Sequence, residues 1–587
     1  MNAPTLPSDD VDPEARRRQI AEREAAWPVT YDRFAGVAMA TGVPKPDLPD
    51  VVWFATVAEI LAKIAVNAEE VAQRMSALHP SHPEHEAAMA LIRDAERGGI
   101  HVAFDHLQAL TQGDDEEVRP TSIAEYDGLF RSIPLPPSAA DLDQDTAFAR
   151  MRLAGPNPMT LARIERVPDG VSLTEADVAR AASALAAAGH DIAGCELGAA
   201  LHDGRAFAAD YRALHGVAGG RWGRWDKHLY GPVALFFTVG RARTLLPVAI
   251  QPAPGAPLVT PADGEAWRVA KTMATVADGN VHQAVSHLAH THLVLEAVTL
   301  AVRRGLAEQH PVARLLEPHF QGTLYINDAA DTKLAAPGGG VDAVMGGPIA
   351  FSRSAAAQGV ADWSFRGTML ENDLRARGLD DRAALPEHPY RDDALLVNGA
   401  IRRWVEGYLR TWYRTDAALA ADDELQAMFR WLGAPEGGRL RDVPLPATVA
   451  DLVDAVTHVI FTASAQHAAV NFPQLPIMAY APAFPLAGYD PAADPATTSL
   501  FDLLPPIGQA HYQATLGTLL GSVHHTVLGE YPRHLLHNFA GDPRIDAHLT
   551  AFQADLREVE RLIGQRNAAR PPYPFLLPSR IPQSINI

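Results

Sequence analysis

Apolar residues recur at the spacing of an amphipathic helix along most of the chain. In these stretches one face is apolar, and alanine, glutamate and arginine, which favour helix, fill the remaining positions. The stretches predicted to be helical are residues 51–78, 85–110, 267–277, 281–308, 394–417, 449–470, 510–528 and 546–566. The expected fold class is therefore mainly α.

A different pattern covers residues 201–251, where short apolar and aromatic runs are separated by glycine and charged residues. The runs Val233 to Thr238 and Leu245 to Ile250 have the length and composition of β-strands. They predict a small antiparallel β subregion within the helical protein. Residues 335–347 are rich in glycine and alanine and are expected to interrupt the helical run.

Length alone would suggest two or three domains, but the sequence shows no boundary between them. The chain has 587 residues, of which 47% are hydrophobic, enough for a very large core. No segment is long enough to be an interdomain linker, so residues 29–587 are expected to form one domain. Residues 1–28 are charged and are expected to be a disordered tail. They lack the apolar stretch, about 7–15 residues long, of a secretory signal, so a cytoplasmic location is expected.

Charge and cysteine content exclude several classes of function. A net charge of −20 leaves no basic surplus for binding nucleic acid. Cys195 is the single cysteine, which excludes an intramolecular disulfide and a cysteine-based metal cluster. No uninterrupted apolar window reaches the roughly 18 residues of a membrane span, so at most a transient contact with a lipid surface is expected. A monomer is favoured.

Candidate metal ligands lie in a helical stretch rich in histidine. His282, His287, His290 and His292 occur close together in an apolar run. Residues five apart, such as His287 and His292, are rotated by about 140° on an α-helix and cannot share one ion there. A π-type turn would bring them onto one face. Ligation by this pair therefore requires the helix to widen locally.

A second candidate pair, His467 and Asn471, lies four residues apart in a later predicted helix and so on one face of it. Imidazole and carbonyl oxygen ligands, without thiolate, suit a divalent iron or manganese ion. The alternative is that these histidines are buried, hydrogen-bonded residues of a helical core.

At these residues the sequence resembles the lipoxygenases. The segment WRVAKTMATVADGNVHQAVSHLAHTH is similar to the first ligand-bearing helix of that family, and FTASAQHAAVNFPQ is similar to the second. The chain ends IPQSINI, similar to the family's I-P-N-S-I-S-I terminus. The matching residues of the first segment are Trp267, Ala270, Lys271, Asp278, His282, Gln283, His287, Thr291 and His292.

The resemblance implies a short, bacterial-type lipoxygenase without the amino-terminal β-barrel, and it implies a metal site. The implied ligands of one non-haem iron, with manganese possible, are His287, His292, His467, Asn471 and the terminal carboxylate of Ile587. Gln283 and Gln474 match positions that link the ligands to the substrate cavity by hydrogen bonds. Ala330 matches the position that biases the stereochemistry of oxygen addition, and Leu334 the one that packs over the reacting carbons.

The implied activity is dioxygenation of polyunsaturated fatty acids. A ferric hydroxide would take a hydrogen atom from the 1,4-pentadiene unit, and dioxygen would add to the radical to give a hydroperoxide. Two alternatives stay open. One is a hydroperoxide isomerase of the same fold, which forms epoxyalcohols, and the other is a lipid-binding homologue without catalysis.

Overall fold

Helices make up most of the computed structural model, which describes residues 4–76, 100, 104, 119–491, 494–531 and 542–587. The α-helices are Pro13–Ala26, Val51–Ser76, Ile123–Asp127, Asp145–Ala154, Glu175–Ala187, Leu197–His202, Glu265–Val281, Val294–Gly305, Pro311–Leu316, Thr323–Ala329, Gly340–Val344, Ile349–Asp362, Leu370–Ala376, Pro389–Trp412, Asp416–Ala420, Asp423–Gly433, Val449–Phe461, His467–Asn471, Leu500–Leu503, Ile507–Leu520 and Pro543–Ala569. The predicted mainly α class is confirmed. The helix predicted over residues 85–110 lies almost entirely outside the described residues.

The predicted β subregion is a four-stranded antiparallel sheet. Its strands, in spatial order, are Ala162–Arg163, Ala206–Asp210, Val233–Val239 and Thr244–Gln251. Alternate residues of the third strand pack on opposite sides, because Leu235 and Phe237 join the cluster of helix Glu175–Ala187 while Phe236 stacks on Phe148 at 5.8 Å. Burial on both faces explains the continuous apolar run in the sequence. Further short strand pairs join Val29–Thr30 to Met39–Ala40 and Arg221–Trp222 to Trp225–Asp226.

Two helices run through the main core and are named here for what they carry. The first ligand helix is Glu265–Gly305, in which π-helical residues His282–Leu293 lie between two α-helical parts. The second ligand helix comprises residues 449–471, with a π-helical turn at Thr462–Gln466. Another π-helical turn, Ala330–Leu334, precedes the segment expected to break the helical run. That segment contains the short helix Gly340–Val344, which the glycine content did not predict.

The amino-terminal segment corrects the expectation of a disordered tail. Residues Pro13–Ala26 form a helix that begins with a cap, in which the side chain of Asp12 accepts from the amide of Ala15. The helix is fixed by buried arginines. Arg16 pairs with Glu424 at 2.5 Å, and Arg23 pairs with Glu317 at 2.7 Å. Both carboxylates lie far along the chain, so the local sequence could not reveal them.

Within the described residues, two helical stretches are long and apolar enough, by length and composition, to cross a membrane. In Glu265–Gly305, which is the first ligand helix, 83% of the apolar window is buried inside the protein. In Val51–Val71 the corresponding share is 44%. A buried core helix passes the same test, and the first ligand helix is such a core helix.

Candidate metal centre

The widened first ligand helix brings His287 and His292 onto one face. In the π-helical part the helix has more residues per turn, so residues five apart come into register. The Nε2 atoms of the two imidazoles are 3.2 Å apart. The local turn on which ligation by this pair depends is therefore present.

His467 of the second ligand helix completes the group. Its Nε2 atom lies 3.4 Å from Nε2 of His287, and the ligand atoms of all three histidines lie within 4.8 Å of one another. His467 directly follows the π-helical turn Thr462–Gln466. Within the described residues this is the group of metal-ligating side chains that could hold an ion.

Burial keeps the three imidazoles neutral. It lowers the pKa of His287 and His467 well below the usual value, and their mutual proximity with His292 adds to the effect. Burial lowers the pKa of His292 to about 4, while its hydrogen bond with Asn327 opposes the shift. Neutral imidazole is the form that binds a metal ion. No deprotonation is then needed for binding at neutral pH.

The donor set fits a metal ion. Two nitrogens bound at about 2.1 Å and at right angles around one ion would be roughly 3.0 Å apart. The observed separations of 3.2 and 3.4 Å are close to that value. Neutral nitrogens that face each other cannot all be satisfied by hydrogen bonds among themselves, because they lack enough donors. An ion at their centre would satisfy all of them.

The carboxyl-terminal residue lies beside the histidines. Ile587 is buried, and its main chain lies close enough to the ring of His467 to raise the pKa of that histidine, against the effect of burial. The residues before it are held in place by hydrogen bonds to several elements. Trp53 Nε1 donates to the Asn586 carbonyl at 2.7 Å, and Thr323 Oγ1 donates to the Ile585 carbonyl at 3.1 Å. The end of the chain is thus anchored at the metal group.

A chain of side-chain amides connects His287 to Asn471. Gln283 Oε1 lies 3.4 Å from Nδ1 of His287, and Gln283 Nε2 donates to Gln474 Oε1 at 2.9 Å. Gln474 Nε2 in turn donates to Asn471 Oδ1 at 2.8 Å. An amide oxygen has two lone pairs, so Asn471 keeps one for another partner. The structure brings these residues together, and ligation by Asn471 stays a prediction.

An apolar cavity adjoins the amide chain. It is lined by Gln283 and Gln474, by Leu334 and mainly by aliphatic side chains from helix Ile507–Leu520 and residues 341–345. Ala330 begins the π-helical turn that ends at Leu334 and is buried. The cavity thus lies beside the amide chain that connects His287 to Asn471.

Two further residues, Asn327 and Glu296, support the third histidine. His292 Nδ1 is 2.8 Å from Asn327 Oδ1, and Asn327 Nδ2 donates to Glu296 Oε2 at 2.9 Å. No role was predicted for either residue from the sequence. Glu296 lies one turn after His292 within an apolar run, where a carboxylate is costly to bury, and this position indicated a special role. No local pattern distinguishes Asn327 in this way.

The fold and the site together define a non-haem metalloenzyme: a largely helical protein in which a buried three-histidine metal site adjoins an apolar cavity. Comparison with known proteins identifies its family. The lipoxygenase family model matches residues 137–572. A linoleate 9/13-lipoxygenase of Pseudomonas aeruginosa is 36% identical over 98% of this chain and 91% of its own length. The chain belongs to the lipoxygenase family.

Solved structures agree with this assignment. An anaerobic crystal structure of LOX (delta413-417:GS) in complex with arachidonate matches with a TM-score of 0.82 and 26% identity, covering 100% of this chain and 84% of that one. A manganese lipoxygenase of Gaeumannomyces graminis matches with a TM-score of 0.76, covering 100% of both chains. Its identity of 22% supports the fold alone. The predicted family and activity are confirmed: the protein is a lipoxygenase that dioxygenates polyunsaturated fatty acids.

Proposed function

We propose that the resident ion is iron and that the ligand set is larger than the three histidines. His287, His292 and His467 would be joined by the amide oxygen of Asn471 and the carboxylate of Ile587. The observation that carries this proposal is the convergence of three neutral Nε2 atoms at 3.2 and 3.4 Å, with the buried carboxyl-terminal Ile587 close enough to affect the pKa of His467. Nitrogen and oxygen ligands of this kind suit iron or manganese.

When bound here, iron supplies the one-electron oxidation that removes a bis-allylic hydrogen atom from the fatty acid. The chain's own residues position the substrate and exclude water. The aliphatic lining of the cavity favours a hydrocarbon chain over water. Gln283 and Gln474 join the cavity wall to His287 and Asn471, so a substrate that displaces either amide also affects the ligands.

We further propose free fatty acids of the C18 and C20 classes as substrates. The relatives named for linoleate and crystallised with arachidonate support these two classes. Leu334, which lines the cavity, would pack over the pentadiene. Ala330, one turn earlier, would limit where dioxygen reaches the radical and so bias the configuration of the product.

The experiment compares two substitutions on the same helix, His467→Ala and His458→Ala. Both histidines are buried, but His458 stacks on Trp363 at 5.6 Å and is not part of the metal group. The bound metal is identified and counted by mass spectrometry, and the activity is followed with linoleate and arachidonate after iron or manganese reconstitution.

The proposal expects iron in the wild type and in His458→Ala, and loss of both metal and activity in His467→Ala. Full metal content in His467→Ala would contradict the ligand set. Activity restored only by manganese would contradict the choice of iron.

A further inference from the structure

The ring of His292 is held by a short relay of hydrogen bonds that ends at a buried carboxylate. His292 Nδ1 lies 2.8 Å from Asn327 Oδ1. Asn327 Nδ2 is 2.9 Å from both the His292 carbonyl oxygen and Glu296 Oε2. The other oxygen of Glu296 accepts from the amide of Ala40 at 2.8 Å. The relay thus joins a candidate ligand to the amino-terminal strand Met39–Ala40.

Two main-chain groups fix the direction of every bond in the relay. The Ala40 amide can only donate, so Glu296 must accept there. The His292 carbonyl can only accept, so the amide nitrogen of Asn327 must face it. The amide oxygen of Asn327 then faces His292 Nδ1, which must carry the proton. His292 Nε2 is therefore left with its lone pair toward the other two imidazoles.

The relay has no access to solvent. His292, Asn327 and Glu296 are all buried, so water cannot replace a lost partner without rearrangement. The charged groups that act on Glu296 are Arg33 and Asp328, which are hydrogen-bonded to each other at 2.6 Å. Burial raises the pKa of Glu296 to about 7, and the bonds from Ala40 and Asn327 act against that rise. If Glu296 were protonated, its proton would face one of the two groups that donate to it, the Ala40 amide or Asn327 Nδ2.

We propose that Glu296 and Asn327 are positioning residues of the metal centre, which set the tautomer of His292 and thereby present its Nε2 atom to the ion. This inference rests on the proposed binding of metal by His292. It requires that metal binding depend on the direction of these hydrogen bonds, in addition to the packing of the side chains and the negative charge of Glu296.

The substitution Glu296→Gln tests the direction of the hydrogen bonds because glutamine has nearly the same shape as glutamate. A glutamine offers one acceptor and one donor where the carboxylate offers two acceptors. Either its NH₂ group opposes the Ala40 amide, or it faces Asn327 and drives that amide to flip. A flipped Asn327 would present NH₂ to His292 Nδ1 and move the histidine proton to Nε2, where the metal should bind.

The measured quantity is the rate at which a chelator removes iron from the purified protein, together with iron content per chain. Substitution of a hydrogen-bonding partner behind a metal-ligating histidine weakens binding by about 10–100-fold. We expect faster iron loss by about that factor in Glu296→Gln and in Asn327→Leu. The electron paramagnetic resonance spectrum of the ferric protein should also change, since the ligand field at His292 changes.

Two control substitutions separate the effect of hydrogen-bond direction from the effects of losing a nearby negative charge and of losing a buried side chain. Asp328→Asn removes one carboxylate beside Asn327 and changes no hydrogen bond of the relay directly; Asp328 binds Arg33, which donates to the Ala40 carbonyl at 3.0 Å. Asn67→Ala removes a buried amide that makes three hydrogen bonds, to Leu129, Arg131 and Ile133, in another part of the core. Iron loss should stay within about threefold of the wild type in both, below the effect expected of the relay.

A double variant, Glu296→Gln with Asn327→Asp, tests for rescue. The new carboxylate would accept from His292 Nδ1 and from the new amide, whose oxygen would accept from Ala40. The double variant lacks the bond from residue 327 to the His292 carbonyl. We therefore expect it to lose iron more slowly than Glu296→Gln alone but faster than the wild type.

The possible outcomes are distinct. Equal iron loss in Glu296→Gln and Asp328→Asn would show that charge alone matters and would overturn the inference. Unchanged iron loss in Glu296→Gln, or no recovery in the double variant, would overturn it too. A wild-type protein that binds neither iron nor manganese would instead overturn the proposed ligand set.

Discussion

Buried neutral histidine is common in this protein, so burial alone does not mark a ligand. Burial lowers the pKa of His282, His319 and His458 to about 4, as it does for His292. What differs is the partner. His282 Nε2 donates to the Val470 carbonyl at 2.8 Å, and His319 Nδ1 donates to the Gln583 carbonyl at 2.8 Å. Among the described residues, His287, His292 and His467 are the group of three whose ligand atoms all lie within 4.8 Å of one another.

Because these histidines are buried and neutral, we expect the free energy of unfolding to decrease in acid. In the unfolded chain a histidine takes up a proton near pH 6.5, but buried His458 does so only near pH 4. As the pH falls between these values the unfolded state binds more protons, and the free energy of unfolding decreases. Each such group contributes about 3 kcal/mol across this window.

The measurement is urea unfolding of the metal-free protein from about pH 7 to about pH 4.5, for the wild type and His458→Gln. The variant should lose less stability over this range, by roughly 1.4 kcal/mol per pH unit. Identical pH dependence in the two proteins would show that the pKa of His458 is the same in the folded and unfolded states, contrary to its burial in the structure.

The distinctive local element is the π-helical turn, which occurs at both ligand helices. The five-residue spacing of His287 and His292 predicted the first of them, because a metal site there required it. Nothing in the sequence predicted Thr462–Gln466 or Ala330–Leu334, since an apolar buried run looks the same in an α-helix and a π-helix. Their existence depends on packing against neighbouring elements.

Helix Ile349–Asp362 packs closely on the first ligand helix at Gly359. A Cβ atom on Gly359 would lie 2.8 Å from Cβ of Ala289 and 3.2 Å from Cγ1 of Val285. Gly359→Ala therefore must push the π-helical segment away. We expect a loss of stability of about 1–3 kcal/mol from overpacking, with lower iron content.

The matched control is Gly564→Ala, since a Cβ on Gly564 would meet nothing within 4 Å. Both changes gain the same helix propensity, up to about 1 kcal/mol, so their difference isolates the contact. Thermal unfolding and metal analysis of both variants provide the check. Equal stability and iron content in the two would mean that the helices do not pack as described.

At the scale of the whole molecule, periodicity predicted the helices and the sheet, and the resemblance predicted the ligands. Long-range contacts were beyond that reasoning. Arg16 and Arg23 order the charged amino terminus by pairing with carboxylates hundreds of residues away. The relay from Ala40 through Glu296 to His292 joins segments that are also distant in sequence. Such contacts exist only once the tertiary fold brings the segments together.

The central claim is that this fold and its histidine site add dioxygen to polyunsaturated fatty acids. The direct measurement follows oxygen consumption and conjugated-diene absorbance together, with iron-loaded protein and linoleate or arachidonate. Oxygen and substrate should be consumed in equimolar amounts, and a hydroperoxide should be released. Iron-loaded protein that consumes no oxygen, yet converts added fatty-acid hydroperoxide, would contradict it and identify an isomerase.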